Sequence, residues 1–257
     1  MDSRSLMFLR HPWYPVSTSI PGDTMDIRAF DEQLDQRIAG YDLLCHPFYQ
    51  AWRAGRLTRD DLRAYAVDYF HQVDAFPACL RAFAGRLEDS PMRRAVLSNL
   101  ADEEGRDSQS GGGTPHPELW LDFAEGMGAD RGAVRHSSCC SRVADLTDHF
   151  EAVASSGHRE EALAAFYAFE SQVPRVAQEK ARGLREWYAA DETTCRYFTL
   201  HATADVHHAN VWRELLARRV EADPQCAGRA LDAAETAAKA LWNALDGIEA
   251  ERLARAA

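Results

Sequence analysis

The chain has 257 residues, 46% hydrophobic and 27% charged, with a formal net charge of -11 and a pI near 5.4. A chain of this length can bury a sizeable core, and its acidic balance argues against a nucleic-acid surface, which needs a basic patch. No apolar run approaches the roughly 18 residues that span a bilayer. None of the six cysteines forms a CxxC pair, so reduced thiols in a cytoplasmic protein are expected.

Residues 1–26 carry Pro12, Pro15 and Pro21 without a positive-then-apolar pattern. They predict a flexible N-terminal arm rather than a signal peptide, with Met25 as an alternative start. From Ile27 onward the sequence reads as a single helical domain, residues 27–257. An amphipathic helix over 27–40 (Ile27, Phe30, Leu34, Ile38) stops at Gly40. A second starts near Pro47, whose missing N–H costs nothing there, and closes at Gly55. Thr58 with Asp61 three residues on gives a near capping box for a helix carrying Leu62, Tyr65, Tyr69, Phe70 and Val73 to about Phe76-Pro77.

Residues 78–88 and 91–104 predict two more helices. The stretch from Gly105 to Pro115, with three consecutive glycines, is a flexible break. A helix resumes at His116 and runs to Gly128, and 129–140 is expected to be a connection in which Cys139 and Cys140 are small residues before a helix. Residues 142–154, 159–188, 191–218 and 227–255 complete the helices. No segment alternates as a half-buried strand does, and no dinucleotide or phosphate-binding glycine motif is present. The expectation is all-α, a bundle of about seven helices with polar residues projecting inward.

Chemistry concentrates in the stretch 197–212. His201, Asp205 and His208 sit at offsets of zero, four and seven, so on a helix they share one stripe. His207 falls off it. Two imidazoles and a carboxylate are a ready N/O set for a first-row metal. A solvated polar stripe, or a core histidine pair satisfied by hydrogen bonds, would show the same spacing. Glu170 lies in the apolar run 164–174, where a buried carboxylate needs a partner, either a metal or an arginine such as Arg175. Glu103 lies in the run Asp102-Glu103-Glu104, a pattern that elsewhere means a solvated face, and His116 follows the glycine tract. Together these give three carboxylates and three histidines, a composition typical of two-metal sites in helix bundles, with zinc disfavoured because no thiolate is among them.

Several runs resemble the CADD-like branch of the heme-oxygenase-like dimetal oxidases: Leu44 to Trp52 with Gly55, Tyr65, Tyr69 and Phe76-Pro77; Asn99-Leu with Glu103-Glu104 and His116 to Trp120; Tyr167-Ala-Phe-Glu170-Ser-Gln-Val-Pro174 with Lys180; and His201-x3-Asp205-x2-His208. The resemblance covers about residues 30–218. It implies a heme-oxygenase-like bundle and a metal set of Glu103, His116, Glu170, His201, Asp205 and His208. It further implies two ions (Fe/Fe or Mn/Fe), O2 as co-substrate and an external reductant. The implied activity is formation of para-aminobenzoate for folate, with Tyr49 supplying the ring, Lys180 the amino nitrogen, and Tyr65 and Tyr197 relaying electrons or hydrogen bonds.

Two departures stand out. Relatives place the glutamate and histidine seven residues apart on one helix, whereas Glu103 and His116 are thirteen apart; and Phe169 stands where a tyrosine is common. Both lean toward an alternative, a di-iron oxidase of an external amino-acid-like or fatty-acid-like molecule. A metal-free binding protein is the third reading. Expected partners are a small-molecule or self-derived substrate, with no nucleic acid and no membrane, and a homodimer is the assembly allowed for.

Overall fold

A computed structural model describes residues 26–106 and 113–256. Residues 1–25 of the expected arm, and residues 107–112 of the glycine-containing tract, lie outside the described residues. Among the described residues there are no strands. The described residues form eleven α-helices rather than about seven: α1 (Ile27–Ala39), α2 (Pro47–Arg53), α3 (Arg59–Gly85), α4 (Pro91–Glu103), α5 (His116–Gly126), α6 (Arg131–His136), α7 (Ser141–Ser155), α8 (Arg159–Glu170), α9 (Val173–Tyr188), α10 (Glu192–Ala222) and α11 (Ala227–Ala256). None of them is long and apolar enough to cross a membrane.

Three departures from the expected boundaries have physical causes. Helix α3 does not stop at Pro77 but runs through it to Gly85. A proline inside a helix costs about 3 kcal/mol. Phe76, Leu80 and Phe83 are all buried on either side of it, and full burial contributes about 1.5–3 kcal/mol for each such side chain, so packing wins. The reverse holds at 159–188, which divides into α8 and α9 at Ser171 and Gln172. Pro174 has no N–H to offer the carbonyl of Glu170, so the ladder ends at Glu170. The gap is tied down by Gln172, which accepts from Leu43 N at 3.0 Å and donates to Ala168 O at 3.3 Å. The expected connection at 129–140 contains α6, started by Asp130, whose carboxylate accepts from Ala133 N at 2.7 Å.

Helix α10 is the central rod, packed against α5, α8 and α9. Helix α3 lies against α4, α5 and α7, and α11 closes the other side over α7, α8 and α1. The buried apolar side chains form one contiguous cluster in which Trp52, Trp120, Trp212, Tyr65, Phe123 and Phe198 are the bulky members. That cluster surrounds two inward-facing polar groups described below. The predicted caps hold: Thr58 and Asp61 make a complete capping box at α3, and Pro47 opens α2.

Candidate metal centre

The six candidate ligands are all buried and gather in two triads. Glu103, His116 and His201 form one, and Glu170, Asp205 and His208 form the other; within each, the ligating atoms lie within 4.8 Å of one another. Helix α10 delivers His201, Asp205 and His208 from one stripe, while His207 faces solvent. Glu103 is the last residue of α4 and His116 the first of α5. Although thirteen residues apart in sequence, the two meet, with His116 Nδ1 2.9 Å from Glu103 Oε2. Glu170 ends α8, so the break set by Pro174 leaves its side chain at the head of the bundle interior.

The surroundings of the triads fix how these groups point. His201 Nδ1 donates to Tyr197 O at 2.7 Å, which leaves Nε2 free as a ligand. His208 Nε2 pairs with Asp102 Oδ2 at 2.9 Å, turning Nδ1 toward Asp205 at 3.4 Å and Glu170 at 3.8 Å. Asn99 donates to both Glu170 oxygens at 3.1 and 3.2 Å, and Trp212 Nε1 donates to the same carboxylate. The expected alternative partner of Glu170 is elsewhere, since Arg175 pairs with Asp42 at 3.0 Å. Asn99, Asp102 and Trp212 went unnoticed as site residues in the sequence. Asn99 lies four residues before Glu103 and Trp212 four after His208, so each shares a helix face with a ligand, a signal that was there to be read. Asp102 had none: within an Asp-Glu-Glu run nothing distinguishes the buried pair from the half-buried Glu104.

Charge and hydrogen bonding test whether the triads suit metal ions. Three buried ligand atoms, His116 Nδ1, Asp205 Oδ1 and His208 Nδ1, lack an aligned hydrogen bond, a costly condition that a metal ion relieves. Burial works against a charge on His208, but Asp102 and Asp205 outweigh it and push its imidazole up to about 11. His116 is raised in the same way, burial being overcome by Glu103, and His116 in turn holds Glu103 below the usual range. Burial pushes the Glu170 carboxyl up to about 8 and the His201 imidazole down. The triad of Glu170, Asp205 and His208 thus holds an imidazolium, on His208, where a divalent cation would sit. The buried carboxylate and imidazole groups fit a two-metal site, and their N/O chemistry suits first-row ions.

Beside the triads lies a box of aromatic rings around Lys180. The Lys180 amine sits 4.4 Å from the Tyr49 ring centroid, 4.7 Å from Tyr65, 5.4 Å from Phe198 and 5.5 Å from Trp52. Its Nζ bonds the Tyr65 hydroxyl at 2.5 Å, and that hydroxyl lies 3.1 Å from the Tyr49 hydroxyl. Lys180 belongs to the buried stripe Val176, Ala177, Lys180, Ala181, Leu184 of α9. Gly183 permits the close approach: a Cβ there would stand 2.8 Å from the Trp52 indole. Burial without a counter-charge pushes the Lys180 amine well below the ordinary lysine range. The same burial raises the Tyr49, Tyr65 and Tyr197 phenols. Tyr197 links box and triads, its ring stacked on His201 at 4.0 Å. Phe169 lies apart, among Phe76 and Phe150.

A family profile described as iron-containing redox enzymes matches residues 63–242. The chain is 34% identical over 217 residues to the 4-aminobenzoate synthase of Chlamydia pneumoniae, covering 84% of this chain and 93% of that one. It is 35% identical over 234 residues to the 4-aminobenzoate synthase of Nitrosomonas europaea, with coverages of 87% and 92%. Among solved structures, a TenA homolog from Pseudomonas syringae superposes with a TM-score of 0.74 over 88% of this chain and 96% of the other. At 17% identity that match speaks for the fold alone.

Proposed function

Because the chain belongs to the family of iron-containing redox enzymes, we propose that it is an oxygen-dependent dimetal oxidase forming 4-aminobenzoate, with its own Tyr49 as ring source and Lys180 as amine donor. The observation that carries this reading is the amine of Lys180 poised 4.4 Å from the Tyr49 ring in a water-poor aromatic box beside two buried ligand triads. Glu103, His116 and His201 would hold one ion, and Glu170, Asp205 and His208 the other, as Fe/Fe or Mn/Fe. When bound, the pair supplies oxygen activation and oxidising power, with an external reductant completing the electron count.

The protein's own groups do the rest. A lysine attacks carbon only as the free amine, and burial among the aromatic rings favours that form of Lys180. The hydroxyl line from Tyr49 through Tyr65 to Lys180 gives the Tyr49 phenol proton a path to nitrogen. The rings exclude water, which would otherwise compete for an activated phenol. The crevice lined by Leu44, Tyr49, Trp52, Val176 and Lys180 has no room for a water-sized molecule. That favours a substrate already built into the chain over one that must enter beside Tyr49.

The test is anaerobic loading with Fe(II), alone and with Mn(II), then O2 and a reductant, followed by mass spectrometry of protein and small molecules. The expected result is at most one 4-aminobenzoate per chain, with side-chain mass lost at Tyr49 and no product from Tyr49→Phe. Oxygen consumption with Tyr49 intact would instead assign the centre to an external substrate. Absence of metal uptake would overturn the enzyme reading.

A further inference from the structure

The two triads are buried, so an ion must reach them through the wall of the bundle, and one ligand stands in that wall. A cleft of about 460 Å³ lies between α3 and the adjoining ends of α4 and α5, lined by Asp74, Pro77, Arg81, Glu103, Glu104 and Pro115. Glu103 thus belongs to both sides: it lines the cleft, and its Oε2 lies 2.9 Å from His116 Nδ1 in the triad. Pro115 and Pro117, the neighbours of His116 on either side, line the same cleft. The crevice beside Tyr49, by contrast, has no room for a water-sized molecule.

Size and charge say what the cleft suits. A divalent first-row ion travels with about six waters, roughly 180 Å³ at about 30 Å³ each, which the cleft accommodates. Beyond Glu103, Asp74 and Glu104 add two carboxylates. Asp74 is exposed on α3, whereas Glu104 is half-buried. Glu104 is held by Arg81 from α3 and by Arg106 from just past α4, both guanidiniums more than half exposed. Ion pairs to exposed guanidiniums contribute little net stability, so Glu104 can exchange them for an aquated cation. The geometry points to this cleft as the entrance through which divalent ions reach the triads, with Asp74 and Glu104 as the receiving carboxylates. The inference rests on the reading of the triads as a metal centre.

The residues then act in order from the outside inward. Asp74 attracts the aquated ion by its charge. Glu104 leaves Arg81 and Arg106 to bind it and passes it to Glu103, the next residue in the chain. The two arginines close on Glu104 again behind it, so they gate the entrance. Residues that act only on the way in change the rates of uptake and release alike and leave the affinity as it was. Residues that support the bound ion change the affinity.

The test mixes metal-free protein with Mn(II) in a stopped-flow instrument, a dye for the free ion reading uptake and a chelator challenge reading release. Equilibrium titration gives affinity and stoichiometry, and circular dichroism checks the fold. Asp74→Asn combined with Glu104→Gln is expected to slow uptake and release about tenfold each, with two ions bound at wild-type affinity. Arg81→Met, which frees Glu104, is expected to speed both. Glu221→Gln removes an exposed carboxylate about 20 Å along α10 from His208 and is expected to change neither. Wild-type rates in the double variant overturn the entrance, as do wild-type rates in Asp74→Asn alone if the double variant does not fold. A loss of affinity at unchanged uptake also overturns it, because Glu104 would then be a support of the triad. So does equal slowing by Glu221→Gln, which would assign the effect to net charge. A wild-type protein that takes up no Mn(II) overturns the metal centre and the entrance with it.

Discussion

Lys180 is held in a state that costs the fold stability. In the unfolded chain its amine is protonated up to the ordinary lysine value; folded, burial lowers its pKa far below that. Between the lowered value and the ordinary one the unfolded state binds the extra proton, so this group's contribution to stability rises with pH. Lys180→Met keeps the length of the side chain and removes the buried amine. The expected outcome is a protein more stable than wild type at pH 7 by on the order of 1 kcal/mol, inactive, and with a flatter rise in stability between pH 7 and 9. Denaturant melts at the two pH values check this; a variant less stable than wild type at pH 7 would show that the amine is not a liability. Asp102 makes a separate case. By holding His208 Nε2 at 2.9 Å it orients Nδ1 inward, and removing such a support typically costs 10–100-fold in metal affinity. Asp102→Asn should therefore weaken one of two Mn(II) ions by about that factor, read by titration, and leave the other unchanged. A loss from both triads would contradict the assignment. The stripe His201, Asp205, His208 was legible because helical spacing alone sets it. Asp102 was not, because its burial depends on which way the end of α4 faces.

At the scale of elements the decisive feature is the break between α4 and α5. A continuous helix would carry a glutamate and a histidine seven residues apart on one face; here thirteen residues intervene, yet Glu103 and His116 meet at 2.9 Å. The pinch is at Gly105, whose φ of 65° belongs to the left-handed region. A Cβ there would stand 2.6 Å from the Thr114 carbonyl carbon and 2.7 Å from Pro115 N. Only a residue without a side chain lets the backbone at 105 come this close to the backbone at 114–115, beside the ends of α4 and α5. Gly105→Ala is expected to push α5 away from α4, lowering metal stoichiometry from two ions per chain to one while the melting temperature of the metal-free protein moves little. Retention of two ions at wild-type affinity would show that the pinch does not set the triad. The sequence made the glycine tract visible as a departure but could not say whether the ligands survive it. That depends on backbone contact between positions 105 and 114, and no periodicity reports such contact. The same limit explains Pro77 and Pro174: the first reads as a stop and is overridden by packed apolar side chains, whereas the second lies inside an expected helix over 159–188 and ends one.

Across the whole molecule, the ligands come from α4, α5, α8 and α10, so two ions would cross-link four helices that otherwise meet at buried charges. The all-helical class and the inward polar stripe were legible because both follow from local spacing; the pairing of triads was not, because it requires α8 and the two short helix ends to converge on α10. Convergence also sets a proton count. Without metal, Glu170 holds a proton with its carboxyl raised to about 8, and His208 holds one with its imidazole raised to about 11. Both must leave when an ion binds, so uptake releases protons and lower pH opposes it by mass action. Affinity at this triad should be far weaker at pH 6 than at pH 8. A total metal concentration about 100 times the dissociation constant adds about 2.7 kcal/mol to stability. At about 2–4 °C per kcal/mol for chains of this size, Fe(II) or Mn(II) should raise the melting temperature by about 5–11 °C at pH 8 and much less at pH 6. An indicator-dye titration at pH 7 should show protons released on loading. Equal stabilisation at both pH values, with no protons released, would mean that the buried carboxyl and imidazole do not take up the metal.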